Sequence, residues 1–321
     1  MSADSDRSWT DGPFFIVGAV RSGTTLLRLM VGHHPEICRC REMEYLTAPI
    51  AGGRPFPSPD EYRRFLATDR GFAGSGLSLT PGLEFMEQAR AFLGRLQAEE
   101  GKPLIGATVH NHFDELARIW PNARYIRLMR DPRDVALSCV KIGFTGSPWI
   151  GAQIWADAVE NWSRLKELVP EERRLELRFE DLVADPEREL ERLCRFLGVQ
   201  YVPEMQEIDR DTTYSRPGPR VARSWRDSAS AYEIALVEAR IGPDRILAAG
   251  YELSDVPPRP IDALGRLRIR TEDLYTRARF RTRRYGVGLW AAGVLSRRLP
   301  FPGLRDRIQR RQNAIDAKHV K

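Results

Sequence analysis

Five consecutive residues near the amino terminus, Arg21-Ser22-Gly23-Thr24-Thr25, place a cation, three hydroxyls and a glycine within one turn. They follow a short apolar run, Phe14-Phe15-Ile16-Val17, and precede Leu26, Leu27, Met30 and Val31 at helical spacing. A buried strand, a turn with glycines at 18 and 23, and a helix start together make an anion site. Unpaired N–H groups and the helix dipole point at whatever sits there. The spacing nearly matches the nucleotide-phosphate pattern G-x-x-x-x-G-K-[ST], with Gly18, Gly23 and Thr25 in place. Thr24 stands where the lysine belongs, and Arg21 supplies the positive charge from inside the turn. Lacking a lysine to bridge β- and γ-phosphates, the turn suits a single terminal phosphate or sulfonate better than ATP hydrolysis.

A second anion-binding pattern lies at Arg130-Asp131-Pro132-Arg133-Asp134. Asp131 is a good N-cap with Pro132 at the first helical position, so Arg130 ends a strand and a helix follows at once. Ser138 comes eight residues after Arg130, and an arginine and a hydroxyl can jointly hold a phosphate through charge-assisted hydrogen bonds. Two separate anion sites imply a ligand with phosphates at both ends.

The elements that must position these groups alternate strand and helix. Pro103 to Val109 and Ala123 to Met129 read as further strands and Leu175 to Phe179 as a fourth. Helices are expected over Leu83–Leu96, Phe113–Trp120, Gln153–Leu168, Asp185–Leu197 and from the Ser230/Glu233 capping box to Ala249. Such alternation means an α/β fold with a doubly wound parallel sheet and flanking helices, in which ligands collect at the carboxyl ends of the strands. That rule gathers Arg21 to Thr25, Glu42, His110 and Arg130 at one edge. Three stretches, Ala48–Pro81, Ile142–Gly151 and Tyr214–Arg226, read as irregular excursions or lids.

At 321 residues with 42% hydrophobic and 9% aromatic content, the chain can bury a sizeable core, and no run reaches the length of a membrane span. Met1 to Asp11 is polar with three aspartates, which is not a secretory signal. Four scattered cysteines do not make a disulfide framework, and Cys38-x-Cys40 lacks a second ligand pair, so no metal site and a reducing cytoplasm are expected. The net charge of +6 is uneven. From Pro257 onward there are 17 Lys and Arg against 5 Asp and Glu, a local +12, which leaves −6 for the rest.

Val20-Arg-Ser-Gly-Thr-Thr-Leu26 resembles the 5′-phosphosulfate loop of the sulfotransferases, and Tyr125 to Ser138 is similar to their 3′-phosphate motif. Arg178-Phe-Glu-Asp-Leu182 and the segment through Phe196-Leu197-Gly198 resemble a third family stretch. The resemblance covers roughly Phe14 to Leu253 and implies the P-loop NTPase-like sulfotransferase fold. It implies transfer of a sulfonate from 3′-phosphoadenosine 5′-phosphosulfate (PAPS) to a hydroxyl or amine, without a metal and with adenosine 3′,5′-bisphosphate as product. Carried over by position, Arg21, Ser22, Gly23, Thr24, Thr25 and Leu26 hold the 5′ end, with Arg21 also meeting transition-state charge. Arg130 and Ser138 hold the 3′-phosphate, and Phe179 stands where the family often has a tyrosine near the adenine. For the catalytic base two positions match. Glu42 lies where tyrosylprotein sulfotransferases have a glutamate, and His110 lies where cytosolic sulfotransferases have a histidine. The bland reading of Glu42 is a pair with Arg39 or Arg41. The lysine common in the His110 segment is replaced by Gly106-Ala-Thr-Val-His110.

A sulfotransferase domain over 12–255 and a basic, helical C-terminal extension over 256–321 are therefore expected. No nucleic-acid partner is expected. The extension combines eight arginines between Leu264 and Arg284 with an apolar run at Tyr285–Leu295, which suits peripheral contact with an anionic membrane or, equally, packing on the main domain. Rival functions are a P-loop nucleotide-dependent kinase, which would need a lysine at position 24, and a nucleotide-regulated peripheral membrane protein.

Overall fold

The computed structural model describes residues 12–208, 221–258, 260–299 and 301–317. The polar segment Met1–Asp11 and the first part of the third candidate lid, residues 214–220, lie outside them. Among the described residues the elements run β1 (Phe14–Val17), α1 (Thr24–Gly32), β2 (Arg41–Glu42), α2 (Pro59–Leu66), α3 (Arg70–Gly74), α4 (Phe85–Glu100), β3 (Gly106–Val109), α5 (Leu116–Ile119) and β4 (Arg124–Met129). There follow α6 (Pro132–Lys141), α7 (Pro148–Leu168), β5 (Arg174–Arg178), α8 (Phe179–Ala184), α9 (Pro186–Leu197), α10 (Trp225–Ser228), α11 (Ala231–Ile241) and α12 (Pro243–Ala248). The basic extension forms α13 (Ala263–Tyr285), α14 (Val287–Ser296) and α15 (Pro302–Ala317), helical as its sequence suggests.

Two compact units share the described chain. The first comprises residues 12–18, 23–129 and 158–208, and the second 19–22, 130–157 and everything from 221 onward. In the first unit the five strands form one parallel sheet in the order β2-β3-β1-β4-β5. The apolar runs of β1 and β3 have no exposed residue, as strands covered on both faces require. Phe14, Ile16, Ile126, Leu128 and Leu177 of the sheet pack with Leu26, Leu27 and Met30 of α1 and Leu190, Leu193 and Leu197 of α9. Chain order reverses around β1, whose neighbours are β3 and β4, so the switch point of the sheet lies at the carboxyl end of β1.

Four expectations are corrected. Ala48–Pro81 is not irregular throughout, because Ser58 caps α2 through a full capping box with Glu61, and Asp69 caps α3. Helix α7 begins at Pro148, inside the stretch read as a loop. The helix expected from Ser230 to Ala249 is two, α11 and α12, parted at Gly242 with φ 90°. Phe179 opens α8 and does not end the fourth strand, and a two-residue strand, β2, joins the sheet beside β3.

The register of β1 on β3 places Phe14 opposite Gly106, where an added Cβ would sit 2.4 Å from the phenyl ring. Gly106→Ala should therefore lower unfolding stability by about 1–3 kcal/mol, the usual cost of overpacking, in a urea titration. An unchanged midpoint would contradict this packing.

Candidate functional site

The peptide after β1 turns sharply. Gly18 has φ 150°, Arg21 φ 73° and Gly23 φ 100°. Gly23 is also the N-cap of α1 and offers no side-chain cap, and no carboxylate stands in the first helical turn. The N–H groups there are thus left for an external anion, and the dipole favours one. A Cβ on Gly23 would lie 2.2 Å from the Phe179 ring, so glycine is required by conformation and by packing together. Phe179 and Leu26 are both buried in the sheet core. The Ser22 hydroxyl is committed to its own turn, donating to the Ala19 carbonyl at 2.7 Å. Thr25 is half-buried on the first turn.

In the first unit, His110 follows directly on β3 and is bonded through both ring nitrogens. Nε2 meets the Thr24 hydroxyl at 2.9 Å and Nδ1 meets Glu44 Oε1 at 2.8 Å. Glu44 also accepts from the backbone N–H of His110 at 2.6 Å and from both the backbone and side-chain amides of Asn111 at 3.1 and 3.0 Å. Burial alone would raise the Glu44 pKa, but these bonds and the nearby imidazole outweigh it and hold it below its ordinary 4.5. An ionised carboxylate only accepts, so Nδ1 carries a proton, and whenever the ring is neutral Nε2 is the nitrogen left to accept the Thr24 O–H. Asn111 O in turn receives the Thr47 hydroxyl at 2.8 Å, which ties the turn after Glu44 to the same place.

Glu42 is elsewhere in the same unit. It lies on β2, about half exposed, and its partner is Arg28 at 3.8 Å rather than Arg39 or Arg41. Glu44, two residues on, is the carboxylate that reaches the histidine. Its sequence signal was weak, since the contact spans 66 positions and nothing local marks it.

The second unit holds the remaining predicted residues together. Arg21 Nε donates to Ser138 Oγ at 3.0 Å, across 117 positions of sequence. Arg130 donates to the Arg21 carbonyl at 3.3 Å and to the Val221 carbonyl at 2.9 Å, and pairs with Asp134 at 3.7 Å. Trp155 Nε1 donates to the Arg130 carbonyl at 2.9 Å. Asp131 caps α6 as expected and also accepts from Arg133 and from Trp225 Nε1. Asp134 receives the N–H groups of Arg223 and Trp225 and the Ser224 hydroxyl. Its pKa is nonetheless raised by burial, against the pull of Arg130 and these donors. The segment after position 220 is therefore fastened to the start of α6, a role for Asp134 that the sequence did not reveal.

Residues 13–203 match the family description "Sulfotransferase family". The chain belongs to the sulfotransferase family. That family is one of transferases of sulfur-containing groups. The chain is similar to protein-tyrosine sulfotransferase 2 of Gallus gallus, 25% identical over 201 residues, which are 58% of this chain and 51% of the relative. It is similar also to nodulation protein NoeE of Sinorhizobium fredii, 24% identical over 288 residues, 75% of this chain and 66% of that one. The chain spans about half the length of the protein-tyrosine sulfotransferases it matches. Its fold is that of the sulfotransferase domain from the curacin biosynthetic pathway, at a TM-score of 0.52 and 20% identity over 76% of this chain and 99% of the other.

Glu44 gives the site a pH signature. With its folded pKa lowered, its stabilising effect is full above the ordinary carboxylate value of 4.5 and fades as pH falls through the folded value. Glu44→Gln should cost about 1.5–3 kcal/mol at neutral pH, the scale of hydrogen bonds to a charged group, and progressively less below that value. Denaturation curves of both proteins across this range check it, and a gap that widens toward acid would contradict it.

Proposed function

We propose that this sulfotransferase moves the sulfonate of PAPS to a hydroxyl or amine acceptor by in-line displacement, releasing adenosine 3′,5′-bisphosphate. The observation that carries this reading is the bond from Arg21 to Ser138, with Arg130 on the Arg21 carbonyl. It joins the two anion motifs that a ligand phosphorylated at both ends would require. Arg21, Ser22, Gly23, Thr24, Thr25 and Leu26 would hold the 5′ end. Because the Ser22 and Thr24 hydroxyls are engaged and Leu26 is in the core, backbone N–H groups and Arg21 carry most of that task. Arg130 and Ser138 would hold the 3′-phosphate, and Phe179 would contribute apolar packing near the adenine.

His110 is the proton acceptor in this reading. Glu44 holds Nδ1 and thereby aims Nε2, and Thr24 keeps the ring in place until an acceptor hydroxyl competes for that nitrogen. Charge growing on the leaving 5′-phosphate is met by Arg21 and the loop amides, each such donor being worth ~3–4 kcal/mol when preorganised. Glu42, at the family's glutamate position but half exposed and paired with Arg28, is the second reading. No metal takes part in either. A reducing cytoplasm suits the four free, buried cysteines, and burial pushes the thiols of Cys40 and Cys139 up to about 12.

Labelled PAPS offered with a panel of hydroxylated acceptors tests the reading. His110→Ala should reduce turnover on the order of 10²-fold or more with unchanged nucleotide affinity, and Glu42→Gln by less than about tenfold. A larger loss in Glu42→Gln would transfer the base to that residue. Arg21→Ala and Thr25→Ala should each cost on the order of 10²-fold, and near-normal turnover in both would remove the loop from the sulfonate end.

A further inference from the structure

Helix α13 leaves an apolar face uncovered. Leu264, Leu267, Leu274 and Tyr275 are 76%, 58%, 61% and 67% exposed, where a leucine or tyrosine on a packed helix is ordinarily hidden. At 3.6 residues per turn, these four share one face with Thr271 and Ala278. The opposite face is clamped within the second unit. Ile269 and Asp273 are buried, and Asp273 accepts the Gly146 N–H at 2.6 Å and pairs with Arg277 at 2.6 Å. The Phe280 ring lies so close to Gly143 that a Cβ there would sit 2.5 Å away. Rotation of the helix to hide its leucines would break these contacts.

The flanks of the apolar face are cationic. Arg268 and Arg279 border it on one side and Arg270 and Arg281 on the other, with Glu272 as the one carboxylate on this exposed half. A central apolar strip with arginines on both margins fits a surface that is anionic outside and apolar beneath. A second copy of the chain docking here would set arginine margins against arginine margins, which like charges oppose. A nucleic acid would satisfy the arginines but leave the leucines and tyrosine against charged backbone. No helix among the described residues is long and apolar enough to cross a membrane.

We infer that α13 is an interfacial membrane-binding helix, which lays Leu264, Leu267, Leu274 and Tyr275 into the headgroup boundary of an anionic bilayer with its arginines on the lipid phosphates. This surface is independent of the transfer reaction. Sedimentation of the full chain with phosphatidylcholine vesicles, with and without phosphatidylglycerol, tests it. Binding should require the anionic lipid and weaken with salt. Leu267→Asp/Leu274→Asp should reduce it more than about tenfold, and each of the four flanking arginines changed to glutamine should cost about fivefold. All these positions are exposed or half-exposed, and circular dichroism with retained nucleotide binding verifies that the variants fold. Binding indifferent to lipid charge, or unaltered in the aspartate variant, would overturn the inference. So would a stable dimer in light scattering that the aspartate variant dissolves without vesicle binding in the parent. Retention on a DNA duplex, unaffected by the leucine changes and unaccompanied by vesicle binding, would assign the arginines to nucleic acid instead.

Discussion

Between Val17 and Thr24 the backbone must reverse from strand to helix while holding a cationic non-glycine residue in the left-handed region. Arg21 at φ 73° stores strain of about 1–3 kcal/mol, and such a residue persists only where its surroundings hold it. Two bonds do so here. The guanidinium donates to Ser138 and the carbonyl receives Arg130, so the side chain and main chain of one residue are fixed by the start and middle of α6. The same conformation brings Gly23 under the Phe179 ring and starts α1 with uncapped N–H groups. Strain, packing and the anion-seeking helix end are thus consequences of one turn. Its placement follows from the strand order, since β1 is flanked by β3 and β4 at the switch point of the sheet.

The second organising feature is a buried imidazole with both nitrogens engaged. The carboxylate of Glu44 collects four hydrogen bonds, three from groups of main chain or amide and one from the ring. That arrangement fixes the tautomer rather than merely satisfying a buried polar group, because an ionised carboxylate can only accept. A histidine so held presents one defined nitrogen, Nε2, to the first residue of α1. An exposed glutamate paired with an arginine, as Glu42 is, has neither a fixed direction nor a desolvated environment.

Much of this was legible in the residues because turn chemistry is local. The glycine spacing, Arg21, the Asp131-Pro132 helix start and the Ser230/Glu233 capping box are all written within five or six positions. The rule that ligand groups gather at strand ends brought Arg21 and Arg130 to one edge, but it left Arg21 and Ser138 in two separate anion sites, and their direct bond across 117 positions was not legible. What was hidden depends on pairing between distant segments. Strand β2 has only two residues, Arg41 and Glu42, and no alternation, so it exists through its bonds to β3. Glu44 reads as another charge in a charged stretch until β3 brings His110 to it. In Ala48–Pro81 the glycines and prolines overshadowed Ser58-Pro59-Asp60-Glu61, whose capping box starts a helix regardless of its neighbours. The arginines of α13 were plain from the start, but only the clamp at Asp273 shows which face of the helix they border.

The central claim is that the loop at Arg21 and the motif at Arg130 serve one ligand phosphorylated at both ends. Calorimetric titration of the full chain with adenosine 3′,5′-bisphosphate and with adenosine 5′-monophosphate tests it most directly. The account predicts clearly tighter binding of the bisphosphate, and an Arg130→Ala variant in which about 1.5–3 kcal/mol of that preference, the scale of one charged contact, is lost. Equal affinity of the unaltered chain for the two nucleotides would contradict it.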